Sequence, residues 1–181
     1  MPGIRCALLV GLCLLASGVS VYTDVRWGKI KNYVTLPLLC FGVIWLFVMG
    51  GPGLLLAGLI VGTLSGTLVS GGGKFGAGDI KLIAGIALNL TGVDIRLGIL
   101  FVCFFFIMLA ASAIFIRLKA YGFNFKVALE KMKAEAALEI GGCKDANVLV
   151  HGDKVKHIGA PVIFTALVAS LITAKIGGIV W

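Results

Sequence analysis

At 181 residues, 60% hydrophobic and 13% charged, the chain is too apolar for an ordinary soluble domain, and its mean hydropathy of +1.09 points to an integral membrane protein. The net charge of +8 does not mark a nucleic-acid binder: of the sixteen Lys and Arg, thirteen fall in three connections, and Arg5, Arg96 and Lys175 fall elsewhere, the positive-inside pattern of a multi-pass protein. The five cysteines form no Cys-x-x-Cys pair and all but Cys143 lie in apolar runs, which argues against a disulfide framework and a zinc knuckle.

Ile4 to Tyr22 is the first apolar run, close to the ~20 residues that cross a bilayer core. Its other reading is a cleaved signal peptide, given Arg5, a Leu-rich centre and Ala16-Ser17-Gly18. Arg26, Lys29 and Lys31 follow the run and favour a retained helix with its N-terminus outside. Tyr33 to Gly50 is the second run, with Pro37 near its start, where a missing amide donor is best tolerated. Gly51-Pro52-Gly53 reads as a tight outer turn. In the third run, Leu54 to Ser70, the residues Gly58, Gly62 and Gly66 share one helical face and allow close packing.

A polar interruption follows, Gly71-Gly-Gly-Lys-Phe-Gly-Ala-Gly-Asp-Ile-Lys81. Glycine lets a substrate or another backbone approach, and a carboxylate at a membrane helix end is a functional candidate. The fourth run, Ile80 to Gly92, is short for a crossing; Asp94 and Arg96 mark an outer turn; Ile95 to Ile116 is the fifth run. The polar connection Arg117 to His157 holds eight of the sixteen basic residues. Within it Phe125, Leu129, Met132 and Ala136 recur at helical spacing, with Asn124 as N-cap and Gly141-Gly142 as stop. This predicts an amphipathic helix over 125–140, lying on the membrane or simply solvated. Val148 to Val155 reads as a small hairpin around His151-Gly152-Asp153. Gly159 to Trp181 is the sixth run, with Lys175 near its outer end. The expected fold is all-α: one membrane domain, 1–181, forming a polytopic bundle of six transmembrane helices with both termini outside and a cytoplasmic connection, 118–157, between helices 5 and 6.

Of the eight acids, only Asp24, Asp79 and Asp94 belong to the membrane part. Counting crossings puts Asp24 and Asp79 on one side, the cytoplasmic one, and Asp94 opposite. Two carboxylates from separate helices at one membrane face suit water activation, because close like charges hold one proton between them. The alternative for each is an interfacial charge, and Asp79 also stands where a helix N-terminus favours an anion. Two acids give too few ligands for a divalent cation, and His151 and His157 lie in the polar connection. No metal and no cofactor are expected.

Gly76-Ala77-Gly78-Asp79 followed by Ile80-Lys81-Leu82 resembles the Gly-x-Gly-Asp motif of the type IV prepilin and preflagellin peptidases, membrane aspartic proteases. Asp24, Lys29-Ile30-Lys31-Asn32, Thr35 and Leu36-Pro37 are similar to that family's first-aspartate block, with Lys31 in place of its proline and Asn32 at the same interval of eight from the acid. Ile158-Gly159-Ala160-Pro161 resembles the family's Ile-Pro-Tyr-x-Pro at the start of the last helix. The resemblance implies an enzyme at the cytoplasmic face of the plasma membrane that removes the short basic leader from pilin-like precursors, with Asp24 and Asp79 catalytic. It implies that Gly76, Gly78, Lys81 and Asn32 support the motif or bind substrate. Bifunctional members also carry a segment with paired Cys-x-x-Cys that serves N-methylation. Without those motifs, the short, peptidase-only kind that serves tight-adherence (Flp-type) pili is expected, with archaeal preflagellin peptidase as a neighbour. Expected partners are pilin-like precursors and membrane lipid, with no nucleic acid; the residues do not indicate an oligomeric state. An ion or solute transporter using the same acids, or a non-catalytic pilus-assembly protein, are the competing classes.

Overall fold

The computed structural model describes residues 2–70, 76–120, 122–127, 129–130, 133 and 159–178. The chain divides into two compact units, Met1–Met108 with His157–Trp181, and Leu109–Lys156. Every described element is helical. They are α1 (Pro2–Trp27), α2 (Asn32–Trp45) continued by a π-helical turn (Leu46–Gly50), α3 (Gly51–Ser70), α4 (Ala77–Thr91), α5 (Ile95–Ala120) and α6 (Gly159–Ile176).

Among the described residues, four segments are long and apolar enough to cross a membrane: Ile4–Trp27, Asn32–Thr67, Ile95–Phe115 and Gly159–Ile176. The expectation of six runs differs from this in two places. The second and third runs form a single 36-residue apolar segment, which the backbone divides at Gly51, where φ is +68°. The expected three-residue turn thus narrows to one reversing glycine, a conformation that side-chain-bearing residues avoid. Pro52 and Gly53 belong to the first turn of α3, where proline's missing donor is harmless. The fourth run is only 15 residues as α4, about 22 Å of helix at 1.5 Å per residue, short of the ~30 Å hydrocarbon core.

Burial compensates for that short length. Leu82, Ile83, Ile86, Ala87, Leu88, Asn89 and Leu90 are all buried, so α4 is the axis on which the first unit packs. A Cβ added to Gly85 would stand 3.1 Å from Leu38, one on Gly42 2.5 Å from Leu88, and one on Gly92 3.4 Å from Leu46. Residue number therefore rises together along α2 and α4, and the two are parallel. Gly58 opposes Leu46 and Leu88, Gly62 opposes Ala84 and Leu88, and Gly66 opposes Ile80, so α3 runs antiparallel to both. The small-residue face expected of α3 is the face that meets α4, where missing side chains let the backbones approach. Asn89 ties the same layer together: its Nδ2 donates to the carbonyl of Leu38 in α2 at 2.9 Å and to that of Gly85 at 2.7 Å.

Tyr22, Trp27 and Tyr33 are exposed around the end of α1. The Arg26 guanidinium lies 5.4 Å from the Trp27 ring centre and the Lys31 ammonium 5.7 Å from it. Aromatic and basic residues mixed in this way are typical of a membrane–water interface. At the far end of α4, Asp94 accepts from the Arg96 amide at 2.7 Å and opens α5, a capping role.

In the second unit, α5 ends in a turn at Gly122 and Phe123, whose φ values are both +61°. Asn124 then accepts from the Val127 amide at 3.4 Å, the expected N-cap, and 125–127, 129–130 and 133 are helical. The remainder of the expected 125–140 helix lies outside the described residues. So do Gly141-Gly142, the expected hairpin at Val148–Val155, and both histidines.

Candidate active site

The site forms where α1, α4 and α6 come together in the first unit. Asp24 lies on the last turn of α1, and its carbonyl accepts from the Gly28 amide at 2.7 Å, which closes the helix and turns the chain at Gly28, where φ is +65°. Asp79 is the third residue of α4, within the first turn, where free backbone amides and the helix dipole favour an acidic side chain. Its Oδ2 accepts from the Gly76 amide at 3.1 Å, so the acid closes the start of its own helix.

Both carboxylates meet consecutive residues of α6. The Ala160 amide donates to Asp24 Oδ2 at 3.2 Å. Gly159 faces Asp79: a Cβ there would fall against Asp79 Oδ1 and 2.8 Å from its Cγ. Asp79 Oδ1 is buried and has no hydrogen-bond partner among the described residues. Asp79 precedes the apolar run Ile80–Gly92 and lies outside the four segments that are long and apolar enough to cross a membrane among the described residues. Burial pushes this carboxyl up to about 6; the Gly76 amide opposes the rise and the nearby charge of Asp24 adds to it. Such a pair, both members half-buried and the charge of Asp24 felt at Asp79, is suited to holding a single proton between two carboxyl groups.

The supporting residues divide. Lys81 Nζ donates to Asn32 Oδ1 at 3.1 Å, which links the two aspartate blocks directly and ties α4 to the start of α2. Gly78 permits close approach by the chain itself, since a Cβ would lie 2.8 Å from the Ile30 carbonyl oxygen and 2.9 Å from the Ile30 Cβ. The link between α1 and α2 therefore rests on the first turn of α4. Lys31, in that link, has φ −84° and ψ 138°, the polyproline region that a proline would impose. Gly76 is exposed with φ −73°, and a Cβ on it would make an ordinary 3.5 Å contact with Asp79 Oδ2. Its contribution to the site is its amide, which any residue except proline supplies.

Gly159 and Ala160 were not assigned any role from the sequence. A signal was present, a glycine opening a helix whose third residue is Pro161, but nothing in the spacing says that the acids from α1 and α4 end there. Among the described residues no group of three His, Cys, Asp or Glu side chains is arranged to hold a metal ion.

A family model described as the type IV leader peptidase family matches residues 7–124. That span contains Asp24, Asn32, Gly76, Gly78, Asp79 and Lys81. No curated protein and no solved structure matches the chain.

Proposed function

The chain belongs to the type IV leader peptidase family, and we propose that it is an aspartic endopeptidase in which Asp24 and Asp79 together activate water to remove the leader of a pilin-like precursor. The observation that carries this reading is that both carboxylates reach the first turn of α6, at Gly159 and Ala160. The ionised carboxylate takes a proton from water as the oxygen attacks the scissile carbonyl carbon. The protonated one gives its proton to the carbonyl oxygen. The two acids have then exchanged roles: as the tetrahedral diol collapses and the C–N bond breaks, the acid that took water's proton gives it to the leaving amine and the other takes the proton of a diol hydroxyl, which restores both.

The same reading places the site at the cytoplasmic face of a six-helix bundle. Counting crossings puts the basic connections on the side of Asp24 and Asp79, which supports this reading, as do the exposed Tyr22, Trp27 and Tyr33 beside Arg26 and Lys31. A precursor with a basic leader and an apolar helix fits it, since its helix remains in the bilayer while the polar leader meets the site from water. No methyltransferase chemistry enters the reading, and the expected substrates are the small pilins of tight-adherence type.

The test is the electrophoretic shift of a co-expressed precursor. Wild type and Asp94→Asn cleave it, while Asp24→Asn and Asp79→Asn, present in the membrane at equal level, do not. Cleavage by wild type and all three variants would remove the catalytic pair and leave a membrane bundle with another task.

A further inference from the structure

We propose that the first turn of α6 is the positioning element of the aspartate pair, with Ala160 holding Asp24 through its backbone amide and Gly159 leaving the space that the Asp79 carboxylate occupies. The proposal rests on the peptidase reading and adds two positioning residues to it. It stands on the geometry at residues 159 and 160.

The two contacts are different in kind. Ala160 acts through an N–H that a helix leaves without an intrahelical acceptor in its first turn; here the acceptor is Asp24 Oδ2 at 3.2 Å, a residue 136 positions earlier in the chain. Gly159 acts by absence. A Cβ would overlap Asp79 Oδ1 and lie 2.8 Å from Cγ and 3.2 Å from Oδ2, so the whole carboxyl group sits where a side chain would be. Gly159 is buried, and its neighbour at that point is the end of a side chain rather than backbone. An added methyl would therefore displace the carboxylate and leave the helices in place. Consecutive α-carbons are about 3.8 Å apart, so seating the two acids on neighbouring residues fixes their spacing on a rigid element. This is what a proton-sharing pair needs and what two separate helix ends alone do not provide.

Pro161 fits the same design. It occupies the third position of α6, where its fixed φ suits the first turn of a helix and its missing amide is tolerated. Neither Gly159 nor Ala160 touches the reacting atoms in this account; they act through Asp79 and Asp24.

The experiment compares Gly159→Ala, Ala160→Pro and Ala160→Ser with wild type, Asp24→Asn and Asp79→Asn, in the full-length protein reconstituted with a precursor, reading kcat, KM and the pH–rate profile alongside the melting temperature. Proline at 160 removes the amide while remaining compatible with a helix's first turn; serine keeps the amide. The expected result is a fall in kcat of at least about tenfold for Gly159→Ala with KM and melting temperature held. For Ala160→Pro kcat falls likewise with KM and melting temperature held, because Asp24 loses the donor that seats it. Ala160→Ser keeps the wild-type profile. If Gly159→Ala and Ala160→Pro both retain wild-type kcat and pH profile while the aspartate variants are inactive, the positioning role is overturned and the peptidase reading stands. If the aspartate variants themselves cleave, the peptidase reading fails and this one with it.

Discussion

The two sides of α4 use glycine for opposite ends. Toward α2 and α3, glycines bring backbones together: Gly42, Gly58, Gly62 and Gly85 each oppose an apolar side chain or a backbone atom of a neighbouring helix, and the result is a close-packed layer with Asn89 as its polar tie. Toward α1 and α6, the glycine at 159 opposes a carboxylate, and the space it leaves is filled by Asp79. The first side stabilises a helix too short to cross a bilayer alone. The second places charge inside protein, which costs stability and is tolerated where it has a task. The residue type does not distinguish a packing glycine from a site glycine; what it faces does.

Substitutions sharpen that contrast. The largest effect is expected on the α1–α6 side, where Asp24→Asn or Asp79→Asn lowers the single-turnover cleavage rate by about 10²–10⁴-fold, the usual worth of a general acid or base, with the folded fraction unchanged. Next is pH. With Asp79 pushed up to about 6, the proton the pair shares is lost as pH rises, so kcat/KM, which reports the free enzyme, falls above about 6; a profile flat from 5 to 9 would break the assignment. On the packing side, Gly62→Leu must displace Ala84 and Leu88, whose nearest atoms are at 3.3 and 3.6 Å from the Cβ position. Overpacking of this kind costs about 1–3 kcal/mol, read as a lower melting temperature in detergent with cleavage per folded molecule and pH profile as in wild type. Asn89→Ala removes one interhelical hydrogen bond and lowers stability by on the order of 1 kcal/mol. The smallest effect is expected for Lys81→Ala. Loss of one exposed hydrogen bond to Asn32, worth about 0.5–1.5 kcal/mol, slows cleavage by less than about tenfold.

The packing side was readable from the chain because it is periodic: the Gly58, Gly62 and Gly66 spacing names a face, and Pro37 carries a local rule, as the Asn124 cap does in the second unit. The two aspartate blocks were readable as motifs, and Lys81 and Asn32 belong to those blocks for a reason that the tie between them now supplies. Two other features were less legible. The turn expected at Gly51-Pro52-Gly53 narrowed to Gly51, because proline is as comfortable opening a helix as interrupting one. The role of Gly159 and Ala160 depends on contacts with residues some 80 and 136 positions away (159 − 79 and 160 − 24), and no local pattern carries that information. Gly76 shows the converse: a motif glycine whose backbone angles any residue could adopt.

The claim that the two acids work as one unit is tested most directly by a double-mutant comparison. Single-turnover cleavage is measured for Asp24→Asn, Asp79→Asn and the double variant in the same membranes. A proton-sharing pair predicts that the double variant is no slower than the slower single one, within about twofold, because either loss already disables the unit. Losses that multiply, or a single variant that still cleaves at the wild-type rate, would contradict it.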